Sequence, residues 1–184
     1  KGGVILVQGN GFSNNLTQYD DFAPGSLFDP ADMEEFFFRV KDFDIEWITE
    51  GRAAGQAREF TAHLDYRETP DGEVKDYDLR VNHPLTIGGT DVFLIGHGYA
   101  PVITVRDGNG DVALGGPTIF LPTDQTFASF GVIKAPDAQP KQIGLEGTFY
   151  PTFVMDRDAE GNLAMPRSAW GDAIDPLVSM TVFT

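Results

Sequence analysis

The chain contains no cysteine, which removes a disulfide framework, a thiolate zinc site, a Cys nucleophile and any thiol relay. It is also short of cations, with 13 Lys and Arg against 28 Asp and Glu and a formal net charge of −15. A sequence-independent grip on phosphate needs clustered cations that release counterions, so nucleic acid is not an expected partner and an anionic lipid surface is disfavoured. Long apolar runs are missing. The longest aliphatic stretch is Val4-Ile5-Leu6-Val7, whereas a spanning helix needs about 20 apolar residues. Catalytic signatures are missing too. Gly11-Phe12-Ser13-Asn14-Asn15 lacks the second glycine of a nucleophile elbow, and there is no His-Glu-x-x-His. Gly88-Gly89 and Gly115-Gly116 lead into strand-like sequence and not into a phosphate-cradling helix.

The 184 residues suit a single domain over residues 1–184, long enough to bury about 70% of the surface its unfolded chain exposes. Hydrophobic residues at 41% and charged residues at 22% are the proportions of a globular chain and not of a disordered one. No stretch sustains an apolar i, i+3, i+4, i+7 pattern over three turns, whereas period-2 alternation recurs. Phe36, Phe38 and Val40 alternate on one parity and Phe43, Ile45 and Trp47 on the other, which predicts a bulge near Lys41-Asp42. Phe60, Ala62, Leu64 and Tyr66 alternate next. Thr69-Pro70-Asp71-Gly72 then supplies a turn, and a return strand follows through Tyr77, Leu79 and Val81. Val92-Phe93-Leu94-Ile95 reads as a strand covered on both faces. Ile103 and Val105 enter a hairpin at Asp107-Gly108-Asn109-Gly110 that leaves through Val112 and Leu114.

Further strands are expected at residues 118–121, 130–134, 144–154 and 178–183, with a turn over residues 158–162. The only helix expected is short, within residues 30–36, where Asp29 caps and Pro30 opens the first turn. Residues 9–29 read as an extended crossing pinned by Phe12, Tyr19, Phe22 and Phe28. The fold class that follows is all-β, an antiparallel β-sandwich or open barrel with at most one short helix. Lys1 in place of Met, with strand-like sequence at both ends, suggests a piece excised from a longer protein.

Two acidic stretches imitate calcium loops. Asp107-Gly108-Asn109-Gly110-Asp111 has Val112 where the sixth-position Gly belongs and Thr118 in place of the closing Glu, and the loop from Asp156 closes on Arg167. Both are better read as turns, and no metal site is assigned. His63, His83 and His97 are too dispersed for a local metal motif and read first as hydrogen-bonded structural histidines. His97 stands out within Gly96-His97-Gly98-Tyr99, where the flanking glycines free the backbone. Asn15-Leu16-Thr17 matches a glycosylation acceptor but is too short to carry weight.

Val81-Asn82-His83-Pro84-Leu85, the run Val92-Phe93-Leu94-Ile95-Gly96-His97-Gly98-Tyr99-Ala100-Pro101, and Ile103-Thr104-Val105-Arg106-Asp107 resemble the ResB family of cytochrome c biogenesis proteins. The resemblance continues through Phe120-Leu121-Pro122, the segment from Gly131 to Pro140, and Gly147-Thr148-Phe149-Tyr150-Pro151-Thr152. Gly11-Phe12-Ser13-Asn14, Gln18-Tyr19-Asp20-Asp21-Phe22 and Val40-Lys41-Asp42-Phe43 look like the actinobacterial branch.

What the resemblance implies is an extracytoplasmic domain inserted between helices of a multi-pass protein of the cell membrane. Such proteins act in the system II pathway with a ResC-type membrane partner, which helps bring haem to the outer face and join it to the Cys-x-x-Cys-His motif of apocytochrome c. The family's haem-handling histidines lie mainly in membrane helices and in the partner. No haem ligand is therefore transferred to His63, His83 or His97, and no cofactor is expected in this part of the protein.

Without cysteine the chain cannot reduce apocytochrome thiols, work that falls to a thiol-disulfide partner of the pathway. The reading is then a non-catalytic recognition or scaffold module, with no catalytic residue assigned. Exposed sheet edges would accept an extended segment by strand addition, and the acidic balance would favour a basic ligand. His83, His97, Tyr99 and Arg106 are the candidate contact residues, because they lie in the segment that carries the resemblance. The alternative is an independent extracytoplasmic β domain that binds a carbohydrate or other small ligand. An enzyme with paired carboxylates for glycoside hydrolysis stands third.

Overall fold

A computed structural model describes residues 1–184, which fold into strands joined by turns, with two single 3-10 turns at Leu16–Gln18 and Pro30–Asp32 and no α-helix. Asp29 caps the second turn, its carboxylate accepting from the Ala31 amide at 2.9 Å with Pro30 at the first position. The expected helix over residues 30–36 thus stops after one turn. Phe36 and Phe38 already belong to the sheet core and hold the chain extended. No helix is long and apolar enough to cross a membrane.

The chain divides into two compact units, one comprising Lys1–Glu46 and Glu59–Gly96, the other Trp47–Arg58 and His97–Thr184. The first unit carries β1 (Gly2–Gly3), β2 (Gly11–Ser13), β3 (Asp21–Phe22), β4 (Phe37–Trp47), β5 (Ala57–Arg67), β6 (Lys75–Arg80), β7 (Leu85–Ile87) and β8 (Thr90–Val92). The last residue of β4 and the first two of β5 are counted in the second unit. Its main sheet is antiparallel in the order β2-β4-β5-β6. β6 pairs with β5 from Thr61↔Arg80 to Tyr66↔Lys75, across the turn that Gly72 closes with its amide on Thr69 O at 2.9 Å.

Alternation decides what this sheet buries. Phe12, Phe36, Phe38, Ala62, Leu64 and Leu79 form the core with Leu85 and Ile87. Each fully buried Leu or Phe contributes about 1.5–3 kcal/mol. The burial phase of β4 changes between Val40 and Phe43, as the parity of the sequence required. At that point the Asp42 carboxylate accepts from the Phe43 amide at 2.9 Å and from Gln8 Nε2 at 2.8 Å. The approach to β4 is pinned by a chain of rings, Phe12–Tyr19 at 5.0 Å, Tyr19–Phe22 at 5.1 Å and Phe22–Phe28 at 5.1 Å.

The expectation for residues 92–95 fails. β8 ends at Val92, and only Val92 and Leu94 pack on the core, while Phe93 is 58% and Ile95 88% exposed. Beyond β8 the run keeps the alternation of a half-covered segment. A short apolar run without polar interruptions does not by itself distinguish two covered faces from one.

The second unit carries β9 (Val102–Arg106), β10 (Val112–Pro117), β11 (Leu121–Pro122), β12 (Ser129–Ala135), β13 (Ile143–Tyr150), β14 (Phe153–Val154), β15 (Arg167–Ser168) and β16 (Leu177–Phe183). β9 and β10 form the predicted hairpin, with a register shift between Val112 and Leu114. The strand expected over residues 118–121 shrinks to β11, because Phe120 is spent on a single bridge to Tyr99. The main sheet is antiparallel in the order β11-β12-β13-β16. Its core face holds Ile133 and Ala135, which join Val105 and Ala138 and are flanked by Ile143, Leu145 and Met180. Two glycines permit close approach. A Cβ on Gly131 would meet the buried Phe120 ring at 2.5 Å, and one on Gly147 would meet Ser179 O at 1.9 Å. The sheets are open and form no closed barrel, so the fold is all-β and antiparallel.

Candidate functional site

Period-2 geometry sends residues 39 and 41 of β4, 44 and 46 beyond its phase change, 59, 61, 63 and 65 of β5, and 76, 78 and 80 of β6 to the face opposite the core. That face is a lattice of charge. Arg39 pairs with the buried Asp65, its Nε lying 3.2 Å from Oδ2, and Lys41 pairs with Asp76. Arg80 Nη1 lies 3.3 Å from Glu59 Oε1.

At the centre His63 bridges three strands, Nε2 at 2.9 Å from Asp44 of β4 and Nδ1 at 2.7 Å from Asp78 of β6. The hydrogen bonds to Asp44 and then Asp78 raise the His63 pKa above its ordinary 6.5. Asp44, Glu46, Glu59, His63, Asp78 and Arg80 line a shallow depression here. Four carboxylates against one guanidinium and one imidazole leave it acidic. No group of three or more His, Cys, Asp or Glu side chains is placed to hold a metal ion.

Charge is divided unevenly between the units. The first holds 6 Lys and Arg against 17 Asp and Glu, a net −11, and the second 7 against 11, a net −4. The whole-chain charge of −15 therefore resides mainly on the first unit.

The four residues singled out from sequence fall in different settings. His83 follows Asn82, whose φ is 62°, with its amide on Arg80 O at 3.0 Å and Nδ1 at 3.2 Å from Val81 O. That is local turn chemistry closing β6. Arg106 ends β9 and donates from Nη1 to Gly110 O at 3.1 Å, holding the hairpin turn. In the same turn the Asp107 carboxylate accepts from the amides of Gln139, Asn109 and Asp111 at 2.9–3.1 Å. Those bonds, the Gln139 one foremost, hold its pKa below the ordinary carboxylate value. The carboxylate that imitated a calcium ligand is thus engaged with backbone.

His97 and Tyr99 come together through Phe127. The His97 ring stacks on Phe127 at 4.3 Å and meets Trp47 edge-on at 6.1 Å, while Tyr99 lies 6.5 Å from Phe127 and 5.0 Å from Phe149. Tyr99 also donates its hydroxyl to Gly171 O at 2.6 Å. Phe127 adopts φ 57°, a left-handed conformation that side chains rarely take. The turn before it is held by Asp124, whose carboxylate accepts from the Thr126 amide at 2.8 Å. Burial pushes the His97 pKa down to about 4 and the Tyr99 pKa up to about 12, so both rings are neutral across the physiological range. Trp47, Phe127 and the Asp44–His63–Asp78 bridge were not picked out from sequence. The bridge is signalled only by the sheet face that residues 44, 63 and 78 share once strand register is known.

The main sheet of the second unit ends in an unguarded edge. β16 pairs with β13 without interruption from Tyr150↔Leu177 to Gly144↔Phe183, and no other backbone hydrogen bond reaches it. Its seven residues, Leu177 to Phe183, include no charge, proline or glycine.

Among known proteins, the ResB-like family matches residues 1–184, and the chain belongs to that family, a cytochrome c biogenesis family whose members are generally membrane associated. No curated protein and no solved structure matches the chain.

Proposed function

We propose that this ResB-like chain is a non-catalytic recognition and scaffold module for system II haem attachment, presented on the extracytoplasmic face of a multi-pass membrane protein. It holds basic segments of apocytochrome c at the first unit while a ResC-type membrane partner and the full-length complex handle haem. The reduction of apocytochrome thiols belongs to a separate thiol-disulfide partner, since this chain has no cysteine. The observation that carries the reading is the partition of charge. A net −11 on the first unit surrounds a sheet face where Asp44, Glu46, Glu59 and Asp78 outnumber their cations. Such a field raises encounter rates with a cation about 10- to 1,000-fold at low salt and fades as ionic strength rises.

The test is calorimetric titration of the chain with a haem-free apocytochrome peptide carrying Cys-x-x-Cys-His, beside a scrambled peptide of equal charge. Saturable binding of both that weakens as salt rises, and is tighter for the first than for the second, is the expected result. Equal binding, or none, refutes the recognition role.

A further inference from the structure

Sheet edges are sites of unwanted pairing, and proteins blunt them with charge, proline, bulges or brevity. Three of the four edges of the two main sheets follow that rule. β2 has three residues, β11 has two with Pro122, and β6 carries Lys75, Asp76, Asp78 and Arg80. β16 breaks it, being seven residues long, uncharged and in continuous register. Neither of its faces is fully covered. Val178, Met180 and Val182 share the core side, yet only Met180 joins the core, and Val182 is 59% exposed. On the other side Phe183 is 50% exposed.

The order of side chains along this edge is itself informative. Read outward from Met180, the strand gives Ser179 and Thr181, then Val178 and Val182, then Leu177 and Phe183. Hydroxyl matches hydroxyl, β-branched matches β-branched, and large apolar matches large apolar. A two-fold axis through Met180 therefore sets like chemistry against like chemistry, which is what an isologous interface requires. We propose that β16 pairs antiparallel with β16 of a second copy of this chain, in the register Met180↔Met180, with Ser179 opposite Thr181, Val178 opposite Val182 and Leu177 opposite Phe183. Two four-stranded sheets then run on as one sheet of eight. The occupant is a second copy and not a cationic peptide, because the strand is uncharged and its own unit carries only −4, so repulsion at the seam is small. The strong acidity belongs to the other unit.

Sedimentation equilibrium of the 184-residue chain tests this, with a doubling of the 20.1 kDa monomer mass expected as concentration rises. Two double variants at exposed positions fix the register. S179K/T181K sets lysine against lysine across the axis and raises the dissociation constant at least about tenfold. S179E/T181K sets glutamate against lysine and keeps the dimer. Because the chain has no cysteine, single cysteines give an independent readout. Met180→Cys crosslinks to itself, whereas Ser179→Cys and Thr181→Cys crosslink to each other and not to themselves. A wild type that stays monomeric, the two double variants associating alike, or crosslinking that ignores position would each overturn the proposal. A monomer whose edge is filled by an added apolar peptide would assign β16 to a foreign strand instead.

Discussion

Gly147→Ala places one methyl group where two strands touch. A Cβ there lies 1.9 Å from Ser179 O and 2.8 Å from the Met180 Cα, both backbone atoms that cannot rotate away. Ordinary contact begins near 3.4 Å, so β13 and β16 must separate locally by about 1.5 Å, the difference between 3.4 and 1.9. Gly147 faces Met180 at the centre of the seven-pair ladder, and the separation therefore reaches bonds on both sides. Overpacking costs about 1–3 kcal/mol, and each weakened ladder bond adds about 1 kcal/mol. The expected loss is about 3 kcal/mol. Urea unfolding measures it, and amide exchange locates it by the loss of protection in Leu177–Phe183. Gly25→Ala serves as the control, since nothing lies within 4 Å of its Cβ position, and it should stay within about 0.5 kcal/mol of wild type. If Gly147→Ala matches that control, the close approach of β16 to β13 is wrong.

The other predictions concern titration and polar contacts. Because Asp44 and Asp78 raise the pKa of folded His63, the bridge contributes fully below the unfolded value of about 6.5 and is lost as pH rises through the folded value. These partners are well exposed, so the effect is modest, about 0.3–1 kcal/mol between pH 6 and 8 by urea midpoint. His63→Gln should abolish that slope, and a slope unchanged in the variant would contradict the bridge. The His97 imidazole, held near 4 by burial, should show a constant NMR shift from pH 5.5 to 8. A midpoint near 6.5 would place the ring in water. Tyr99→Phe removes the 2.6 Å bond to Gly171 O and should cost about 1 kcal/mol. In alkaline titration of the wild type, the Tyr99 phenol should ionise at about 12.

Much of the fold was readable because alternation and turn chemistry are local. The phase change at Lys41-Asp42, the Thr69–Gly72 turn and the Asp107–Gly110 hairpin each followed from a few adjacent residues. Where the reading fell short, the deciding contact came from far along the chain. Phe93 and Ile95 look buried in sequence but face outward. Phe120 looks like the middle of a strand but pairs only with Tyr99. The division of charge was invisible to a whole-chain sum, because the boundary after Gly96 and the excursion Trp47–Arg58 follow contacts and not composition. His97 and Tyr99 were legible as a pair of interest, but Phe127, which joins them, depends on a strained turn that Asp124 organises. The Asp44–His63–Asp78 bridge needed strand register, which sequence parity alone does not supply.

The central claim is that an apocytochrome segment is recognised on the acidic sheet face of the first unit. Two-dimensional NMR of the isotopically labelled chain, titrated with the Cys-x-x-Cys-His peptide, addresses it residue by residue. The account predicts saturable shifts at Asp44, Glu46, Thr61, His63 and Asp78, with Leu177–Phe183 unmoved. Shifts centred on β16 or on the His97 and Tyr99 rings, or no shifts anywhere, would contradict it.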